Sequence, residues 1–352
     1  MVHKKKVVVA MSGGVDSTLT AKLLMEHGYD VCGATMRQFD RQNEELSGAS
    51  AMAEHLGIPF VVIDVRDIYH KTVLSYFIDS YAKGITPNPC MMCDFKVKFG
   101  IFYDEARKHF GASYFSTGHY ARILYNSDRG KYEVHKGIDL SKDQSYMMYH
   151  LTQDQLAHIV FPLGRVFKKD TRRISKEKGL PTFNKPDSQD ICFLTNEKTY
   201  VDYLKEEAPW IFKEGRITDL KGRTLGTHRG IPYYTIGQRK GLGISSKEAL
   251  YVIAIDPQKN EVIVGNNEAL FRKRLLAAEL HFTDEEAPAD RFACEAKIRY
   301  GIRTHAAQVM LQKDGRAVVE FDEPQRAITA GQSVVFYDGD RLIGGGTILR
   351  PL

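Results

Sequence analysis

The fold is decided by a stretch near the amino end, Val7-Val8-Val9-Ala10-Met11-Ser12-Gly13-Gly14-Val15-Asp16-Ser17-Thr18. Its unbroken apolar run, rich in β-branched valine, is typical of a short strand that is buried on both faces. Periodic apolar residues from Leu19 to Leu24 then indicate a helix that ends near Gly28. Because Gly13 and Gly14 carry no side chain, backbone amides can converge at the amino end of this helix, where its dipole adds positive charge. The stretch therefore predicts a seat for a phosphate-like anion.

The pattern around the glycines narrows the kind of phosphate site. No lysine follows them, which excludes the ATP-hydrolysing loop G-x-x-x-x-G-K-S/T, and the dinucleotide pattern G-x-G-x-x-G is absent too. The hexad from Ser12 to Ser17 instead resembles the PP-loop of ATP pyrophosphatases. This resemblance implies cleavage of ATP between the α and β phosphates, with the hexad holding the phosphates and Asp16 close to the bound Mg²⁺. The plainer interpretation is a Gly-Gly turn that caps an ordinary helix.

Composition bounds the class of protein. The chain has 352 residues, 43% of them hydrophobic, and a mean hydropathy of −0.33. No apolar run approaches the length of a membrane span, and the basic start leads into a core strand instead of a signal peptide, so we expect a cytoplasmic protein without a membrane partner.

The net charge of +5 does not by itself identify a nucleic-acid-binding protein. Basic residues are nevertheless concentrated in residues 165–185 and 221–240, which could line a polyanion track or a solvated surface.

Strand and helix patterns alternate through the first part of the chain. After the loop and its helix, the pattern predicts a strand at 30–35, a helix at 49–56 and a strand at 60–64. Such repeats predict an α/β fold with a doubly wound parallel sheet, whose ligands lie at the carboxyl ends of the strands.

Short β-type runs punctuated by glycine replace the helical units after about residue 196. They predict a small central α+β or β domain and, beyond it, an antiparallel β-barrel. We expect three domains, a catalytic domain at 1–200, a central adaptor domain at 201–272 and the barrel at 273–352.

The five cysteines, Cys32, Cys90, Cys93, Cys192 and Cys294, are too few and too scattered for a disulfide framework. Cys32 and Cys294 lie in predicted strands and are expected to pack as small apolar side chains. Cys90 and Cys93 form a Cys-x-x-Cys pair at the mouth of a helix, where the dipole favours thiolate. The pair could be a metal half-site, a thioredoxin-like couple or a catalytic thiol beside a structural one, although the βαβ context of thioredoxin is absent. Cys192, in a polar loop, could be their neighbour in space.

Seven segments taken together resemble one family, the tRNA-specific 2-thiouridylases (the MnmA or TrmU family). They occur in the family's order over essentially the whole chain, which makes the resemblance highly specific. The segments are 12–17, 86–89 with Cys93, 116–122, 142–146, 187–193, 234–243 and 330–332.

The resemblance implies an ATP-dependent tRNA-uridine 2-sulfurtransferase acting on the wobble uridine of certain tRNAs. ATP would adenylate the C2 oxygen, which is a poor leaving group, and a sulfur nucleophile would then displace AMP, giving 2-thiouridine, AMP and pyrophosphate. The implied cofactors are ATP and Mg²⁺, the implied partners are tRNA and a sulfur donor such as a cysteine desulfurase or a sulfur-relay protein, and we expect a monomer.

The resemblance also assigns residues. Cys93, Cys192 and Asp16 are the implied catalytic residues, and Asn88, Pro89 and Cys90 would face the flipped target base. The residues implied to bind ATP are Ala10, Met11, Ser12, Gly13, Gly14, Val15, Asp16, Ser17, Met36 and Gly118, with Met36 and Gly118 near the adenosine. The other residues implied to contact tRNA are His119, Lys142, Asp143, Gln144, Arg299, Tyr300 and Gln332.

This chain departs from many family members at one position, because Cys90 stands where they carry Asp. In a sulfur relay, Cys93 is the nucleophile and Cys192 carries a persulfide, so only two thiols are needed. Three thiolates, Cys90, Cys93 and Cys192, could instead hold a 4Fe-4S cluster whose fourth iron binds hydrosulfide. With a further ligand they could also hold zinc, and ligand count alone does not choose among these interpretations.

Other functions account for fewer of these features. An ATP-dependent ligase with the same loop leaves the basic stretches, the barrel and the thiols unexplained. A tRNA-binding module without catalysis leaves the intact phosphate loop unexplained. Thiolation of another RNA base stays open, since Cys90 alters a residue expected beside the base.

Overall fold

The computed structural model describes residues 4–40, 42–186, 191–194, 198–301 and 303–352. The first domain contains strands β1 (Lys6–Ala10), β2 (Asp30–Arg37), β3 (Phe60–Asp64), β4 (Tyr114–Ser116), β5 (Ala121–Asn126), β6 (Lys131–Lys136) and β7 (Ile159–Val160). Five of them form a parallel sheet in the order β3-β2-β1-β4-β7. Val7, Val8 and Val9 are fully buried because β1 is the central strand. The doubly wound parallel sheet predicted from the sequence is confirmed.

The strand order reverses at β1, which pairs with β2 on one side and β4 on the other. In a parallel sheet, the loops after these strands leave from the same edge and open a crevice between them. The loops after β1, β2 and β4 begin at Met11, Gln38 and Thr117. This crevice is where the sheet topology places a ligand.

Helices cover both faces of the sheet, because alternate strand residues point to opposite sides. Val7 and Val9 pack against α1 (Val15–Glu26) and α2 (Asn43–Leu56). Val8 packs on the other face against two longer helical regions, α3 at 66–82 and α4 at 89–110. The consecutive helical segments are Arg66–Tyr69, His70–Leu74 and Ser75–Ala82 in α3, and Pro89–Met92, Cys93–Ile101 and Phe102–Phe110 in α4.

The start of α4 is fixed by its sequence. Asn88 is the N-cap, and its side-chain oxygen accepts a hydrogen bond from the Met91 amide at 3.1 Å. Pro89 occupies the first helical turn, where its missing amide costs nothing. The helix is interrupted at Gly100, whose ψ of −117° is not helical. The Cys-x-x-Cys pair therefore lies at the amino end of a helix, with Cys90 in its first turn and Cys93 just after it.

The segment 140–146 is less helical than its sequence suggests. Its charged and amide side chains are typical of a helix start, but only a short 3-10 turn, Ser145–Met148, forms. The reason is that the Asp143 carboxylate accepts hydrogen bonds from the Gly137 and Ser145 amides at 3.1 and 3.0 Å, which holds the segment as a turn. The domain ends with α5 (Gln153–His158), α6 (Lys168–Glu177) and the 3-10 turns Pro162–Arg165 and Pro181–Asn184.

The central domain contains α7 (Tyr200–Glu207) and strands β8 (Gly215–Asp219), β9 (Thr224–His228), β10 (Tyr251–Asp256) and β11 (Glu261–Gly265). The sheet order is β10-β11-β8-β9, around the buried residues Ile217, Val252, Val262 and Val264. β10 pairs antiparallel with β11. Shorter 3-10 turns are Pro209–Ile211, Ile231–Tyr233 and, before the barrel, Asn267–Leu270.

The last part of the chain forms the predicted antiparallel barrel. Its strands are β12 (Phe271–Phe282), β13 (Arg291–Lys297), β14 (His305–Leu311), β15 (Ala317–Arg326), β16 (Ser333–Asp338) and β17 (Arg341–Pro351). The order β12-β15-β14-β13-β16-β17 closes through pairing of β12 with β17. Within the described residues, none of the helices is both long and apolar enough to cross a bilayer.

One connection between the domains was not predicted. The β5–β6 hairpin leaves the first domain and pairs with β17, with Arg341 opposite His135. Charged side chains reinforce this join, because Arg129 of the hairpin and Arg341 of the barrel both contact Asp284. The barrel is thereby attached to the domain that carries the phosphate loop.

Candidate active site

The phosphate loop is a tight turn between β1 and α1. Gly13 has a φ of +69°, and a Cβ atom there would lie 2.8 Å from backbone atoms of Gly48 and Ala49 in α2. Only glycine fits this position without displacing α2. Gly14, at the N-cap of α1, presents no side chain to the first amides of the helix, which leaves those amides to an anion. The loop therefore has the tight turn and the unblocked helix amino end that the predicted anion-binding site requires.

Two lysines from the basic segment noted in the sequence reach this loop. Lys185 Nζ donates a hydrogen bond to the Gly13 carbonyl at 3.1 Å. Lys168 Nζ donates to both carboxylate oxygens of Asp16, at 2.7 and 2.8 Å, and the Tyr120 hydroxyl donates to Asp16 Oδ1 at 2.8 Å. A Mg²⁺ ion at Asp16 would therefore share this carboxylate with an ammonium group. Two ammonium groups beside a helix amino end suit a polyphosphate.

We expect Lys185→Ala to raise the KM for ATP by about 10- to 100-fold, because a charge-assisted hydrogen bond is worth about 1.5–3 kcal/mol. Steady-state ATP–pyrophosphate exchange measures this KM. Lys178→Ala is the matched control, since Lys178 belongs to the same basic segment but pairs with Glu26 at 2.6 Å. If the KM of Lys185→Ala equalled that of the control, a role of Lys185 in binding ATP would be contradicted.

The remaining residues expected to bind ATP surround the loop. Met11 and Val15 are buried, so they can present only backbone groups to a nucleotide. Gly118 lies against the start of α1, where a Cβ atom would be 3.1 Å from the Asp16 backbone carbon. Met36 is half-buried near the end of β2. The crevice edge thus brings together Ala10, Met11, Ser12, Gly13, Gly14, Val15, Asp16, Ser17, Met36 and Gly118.

A group of thiols lies beside the loop that follows β2. Cys93 is buried in α4, whereas Cys90, in the preceding turn, and Cys192 are exposed. The Gln38 side-chain amide donates to Cys93 Sγ at 3.7 Å and to Cys192 Sγ at 3.9 Å. The two cysteines are therefore neighbours in space, as the resemblance implies.

Cys192 belongs to the described residues 191–194, whereas residues 187–190 of the same motif lie outside the described residues. The Tyr69 hydroxyl lies 3.0 Å from Cys192 Sγ. Tyr69 comes from α3 and is fully buried. Cys192 is consequently held between the β2 loop and α3.

The predicted lowering of the thiol pKa at the helix amino end is wrong. Burial raises the pKa of Cys90 to about 11, and it also raises the pKa of Cys93 and of Cys192. Cys90 touches solvent, but protein atoms packed around its sulfur still desolvate it. The Asp94 carboxylate adds to the rise at Cys93, while the Lys98 ammonium opposes it. Desolvation outweighs the helix dipole, which is worth about 0.3–1 kcal/mol.

The raised pKa of Cys90 can be measured from its alkylation rate, because Cys90 is exposed. We expect its alkylation rate with iodoacetamide to keep rising about tenfold per pH unit beyond pH 9, because only the thiolate reacts and its fraction grows until the pH reaches the pKa of about 11. An ordinary thiol levels off near pH about 8.5. Mass spectrometry of the Cys90 peptide across the pH series checks the prediction, and a plateau below pH about 9.5 would contradict the raised pKa.

A buried charged cluster lies next to Cys93. Asp94 pairs with Lys98 and with His119, whose Nε2 is 3.6 Å from Asp94 Oδ2. Burial acts to raise the pKa of the Asp94 carboxyl, but Lys98 and His119 outweigh it and hold that pKa well below its usual range. His119 Nδ1 and the Thr117 hydroxyl share a hydrogen bond of 2.6 Å, and burial lowers the pKa of His119. His119, implied to contact tRNA, is thus already engaged within the protein.

The other residues implied to contact tRNA divide into two groups. Lys142 and Tyr300 are exposed, and the Tyr300 ring centroid lies 6.3 Å from that of Tyr146. The Tyr300 ring at the barrel edge therefore packs beside the turn that follows Lys142. Both Lys142 and Tyr300 present their side chains to solvent.

The second group shapes the surrounding loops. Gln332 Nε2 donates to the carbonyls of residues 86 and 87 at 2.9 and 3.2 Å, which anchors the segment before Asn88 and Pro89 to the barrel. Arg299 donates to barrel carbonyls, and Gln144 Oε1 accepts a backbone amide at 3.0 Å. Asp143 is buried as described above. Their side chains position these loops from within.

The side chains around the thiols bear on whether the site could bind a metal ion. In the parts of the chain that the structure describes, no group of three His, Cys, Asp or Glu side chains is spaced to hold a single metal ion. Zinc requires its ligands at about 2.0–2.3 Å from one centre, so the geometry does not support a zinc site. For a 4Fe-4S cluster, the residues that the sequence suggests as ligands are Cys90, Cys93 and Cys192.

Around the sulfur atoms, sequence reasoning missed Gln38, Tyr69, Asp94 and Lys98. At the phosphate loop it missed the contacts of Tyr120, Lys168 and Lys185. Asp94 and Lys98 have a visible i, i+4 spacing beside Cys93, which could have indicated a helical ion pair. Gln38 and Tyr69 carry no comparable pattern, since only the folded chain brings them to the sulfur atoms.

Three family models match consecutive parts of the chain: a tRNA methyl transferase HUP domain at residues 5–196, a tRNA methyl transferase PRC-barrel domain at 201–266 and an aminomethyltransferase beta-barrel domain at 272–348. The chain is 43% identical to the tRNA-specific 2-thiouridylase MnmA of Carboxydothermus hydrogenoformans, covering 100% of both chains. It is also 43% identical to the MnmA of Clostridioides difficile, again covering 100% of both.

Among solved structures, the U34-tRNA thiolase NcsA from Methanococcus maripaludis with its 4Fe-4S cluster is 17% identical, with a TM-score of 0.37, and the match covers 59% of this chain and 68% of that one. This likeness is too distant to inform on a cofactor. The full-length identity to the 2-thiouridylases agrees with the phosphate loop, the thiol pair and the barrel found in this structure. The chain belongs to the MnmA family of tRNA-specific 2-thiouridylases.

Proposed function

We propose that this chain is an ATP-dependent tRNA-uridine 2-sulfurtransferase that thiolates the wobble uridine. The observation that carries the proposal is the short path between the phosphate loop and the thiols. Gly118 lies against Asp16, and the next residue, His119, lies against Asp94, which follows Cys93. A nucleotide at the loop and a base beside Cys93 would share one crevice, as adenylation followed by sulfur attack requires.

In the first step, the uridine C2 oxygen attacks the α-phosphate of ATP, and pyrophosphate leaves with the electron pair of the broken bond. The amides of the loop and the Lys185 ammonium stabilise the negative charge on the phosphates. Asp16, oriented by Lys168 and Tyr120, is the carboxylate that would hold the Mg²⁺ of ATP. Adenylation converts the C2 oxygen into a good leaving group.

In the second step, the outer sulfur of a Cys192 persulfide bonds to C2, and AMP leaves with the C2 oxygen and the bonding electrons. The Cys93 thiolate then attacks Cys192 Sγ. The persulfide bond breaks, its electron pair stays on the sulfur attached to C2, and a Cys93–Cys192 disulfide forms. Lys98, whose charge lowers the pKa of Cys93, supports the thiolate at that stage. A dithiol reductant restores the thiols, and a cysteine desulfurase or sulfur-relay protein reloads Cys192.

The tRNA would lie across all three domains, which we place at 1–200, 201–272 and 273–352. Lys142 and Tyr300 are exposed and would supply a cation and an aromatic ring, a combination suited to phosphate and to an unstacked base. The basic segment 221–240 would extend this surface to the anticodon arm. We further propose that the protein acts as a cytoplasmic monomer.

A 4Fe-4S cluster is a second proposal for the sulfur source, favoured by Cys90 in place of the family's Asp. Such a cluster would be held by Cys90, Cys93 and Cys192 and would bind hydrosulfide at its open iron. Iron, acid-labile sulfide and zinc contents of anaerobically purified wild-type protein and of Cys90→Ala decide the matter. Stoichiometric iron and sulfide that disappear in the variant would support the cluster, and metal-free protein that still thiolates tRNA would exclude it.

The proposed activity is tested by incubating the full chain with unmodified tRNA, ATP, Mg²⁺ and a persulfide donor, then digesting the tRNA for mass spectrometry. We expect 2-thiouridine at the wobble position, formed only with ATP. Omission of ATP and a Gly13→Ala variant serve as negative controls. Thiolated cytidine, or uridine thiolated at another position, would replace the proposed target with a different base.

A further inference from the structure

The Gln38 side chain points one amide group at two sulfur atoms. Gln38 is the first residue after β2, and its side-chain nitrogen lies 3.7 Å from Cys93 Sγ and 3.9 Å from Cys192 Sγ. An amide nitrogen carries two hydrogens, so a separate donor is available for each sulfur. Gln38 is only 8% exposed, which means that water does not readily replace these contacts.

A second glutamine fixes the orientation of this amide. Gln42 Nε2 donates to Gln38 Oε1 at 3.3 Å, and Gln42 Oε1 accepts the backbone amide of Gln38 at 2.7 Å. With its oxygen facing Gln42, the Gln38 amide must turn its hydrogens toward the cysteines. Gln42 is likewise 8% exposed, so this arrangement is part of the protein interior.

Tyr69 provides a third donor. Its hydroxyl lies 3.0 Å from Cys192 Sγ, and its ring is fully buried in the core under the sheet. Burial keeps this phenol protonated, because it raises the pKa of Tyr69 far above the usual value. Cys192 therefore faces two donors from separate elements, while Cys93 faces one.

We propose that Gln38 and Tyr69 form a donor seat for anionic sulfur, with Gln42 as the positioning residue that orients Gln38. A neutral thiol is a weak acceptor, but thiolate and persulfide anions gain much more from N–H and O–H donors. The seat acts where burial otherwise opposes negative charge on sulfur, in the manner of an oxyanion hole. Its use in tRNA thiolation rests on the proposed function, whereas its effect on the sulfur atoms does not.

The bonds involved are those of the proposed relay. When Cys93 attacks Cys192 Sγ, the negative charge leaves the Cys93 sulfur. The electron pair of the broken S–S bond passes to the sulfur bonded to C2. The Gln38 amide contacts both of the sulfur atoms that become joined. It can therefore keep the two sulfur atoms close to each other as the disulfide forms. Gln38 is therefore a catalytic residue in this account, and Gln42 acts through it.

The test compares Gln38→Met and Gln38→Glu, which keep the length of the side chain but remove its donors, with Tyr69→Phe and Gln42→Leu. Gln325→Met is the matched control, because Gln325 is 5% exposed and its amide donates to a barrel carbonyl at 2.8 Å. Iodoacetamide alkylation of Cys90, Cys93 and Cys192 is followed separately at one fixed pH by mass spectrometry. Melting temperatures identify any variant that has lost its fold.

We expect Cys93 and Cys192 to react about tenfold more slowly in Gln38→Met and more slowly still in Gln38→Glu, whose carboxylate repels a thiolate. Tyr69→Phe is expected to slow Cys192 alone, and Gln42→Leu to resemble a milder Gln38→Met. Cys90 serves as the internal control and should keep its rate in the uncharged variants Gln38→Met, Tyr69→Phe and Gln42→Leu. If all three thiols of folded Gln38→Met and Tyr69→Phe reacted at their wild-type rates, the proposed donor seat would be overturned.

A second measurement links the seat to the reaction. Single-turnover sulfur transfer from preloaded Cys192 persulfide to tRNA is expected to slow by about 10- to 100-fold in Gln38→Met, with ATP–pyrophosphate exchange unchanged. Unchanged transfer in a folded Gln38→Met would overturn its catalytic role. If the wild-type protein forms no 2-thiouridine, the proposed function fails, but the alkylation pattern still decides whether the seat exists.

Discussion

Replacement of Cys93 by serine is expected to slow 2-thiouridine formation by at least about 10³-fold, because a serine hydroxyl cannot displace the transferred sulfur from Cys192. Adenylation precedes this step and uses the phosphate loop, so ATP–pyrophosphate exchange in the presence of tRNA should continue close to the wild-type rate. Nucleoside mass spectrometry and the exchange assay, performed on the same preparation, measure the two steps separately.

Cys294→Ser is the control for the loss of a thiol elsewhere. Cys294 is half-buried in β13 of the barrel, away from the Gln38 loop, and its replacement should leave thiolation unchanged. Thiolation at a normal rate by Cys93→Ser would show that Cys93 is not the resolving nucleophile. Loss of exchange together with thiolation would instead mean that Cys93 is required before sulfur transfer.

Gly13→Ala is expected to lower ATP–pyrophosphate exchange by at least about 10²-fold, since displacement of a binding group by about 1 Å is enough for such a loss. The new Cβ would lie 2.8 Å from the backbone of Gly48 and Ala49, and the φ of +69° disfavours any side chain. The free energy of unfolding should fall by about 1–3 kcal/mol for the strained backbone alone. Chemical denaturation and the exchange assay test the two effects.

Gly28→Ala separates backbone strain from damage to the loop. Gly28 also has a positive φ, +85°, but no atom lies within 4 Å of a Cβ built there. We expect a stability loss of about 1–2 kcal/mol with normal exchange activity. If Gly13→Ala retained full exchange, or if Gly28→Ala lost it, the assignment of the phosphate seat to this loop would be contradicted.

The fold was largely predictable because its local patterns agree with its tertiary arrangement. The valine run marked the central strand, Gly13 and Gly14 marked the turn, and strand-helix alternation indicated a parallel sheet. Antiparallel strands separated by turns indicated the barrel, whose closure by β12 and β17 is confirmed. The β5–β6 hairpin escaped prediction because its partner, β17, lies about two hundred residues away and no local pattern records that pairing.

The site was predictable only where a motif records it. The phosphate loop and the pair Cys93 and Cys192 follow from the resemblance, and the structure places those two cysteines around one amide nitrogen. The raised thiol pKa was missed, because the helix dipole can be read from sequence whereas the depth of burial cannot. Gln38 and Tyr69 were missed for the same reason, since single polar residues acquire a role only from what the fold packs against them.

The most direct test of the account is the fate of the C2 oxygen of the target uridine. A tRNA carrying ¹⁸O at that position is incubated with the protein, ATP and a persulfide donor, and the AMP and tRNA products are analysed by mass spectrometry. Adenylation of the base followed by sulfur displacement predicts one ¹⁸O atom in each AMP released and one sulfur atom gained by the tRNA. Unlabelled AMP formed alongside thiolated tRNA would contradict activation of the C2 oxygen by adenylation.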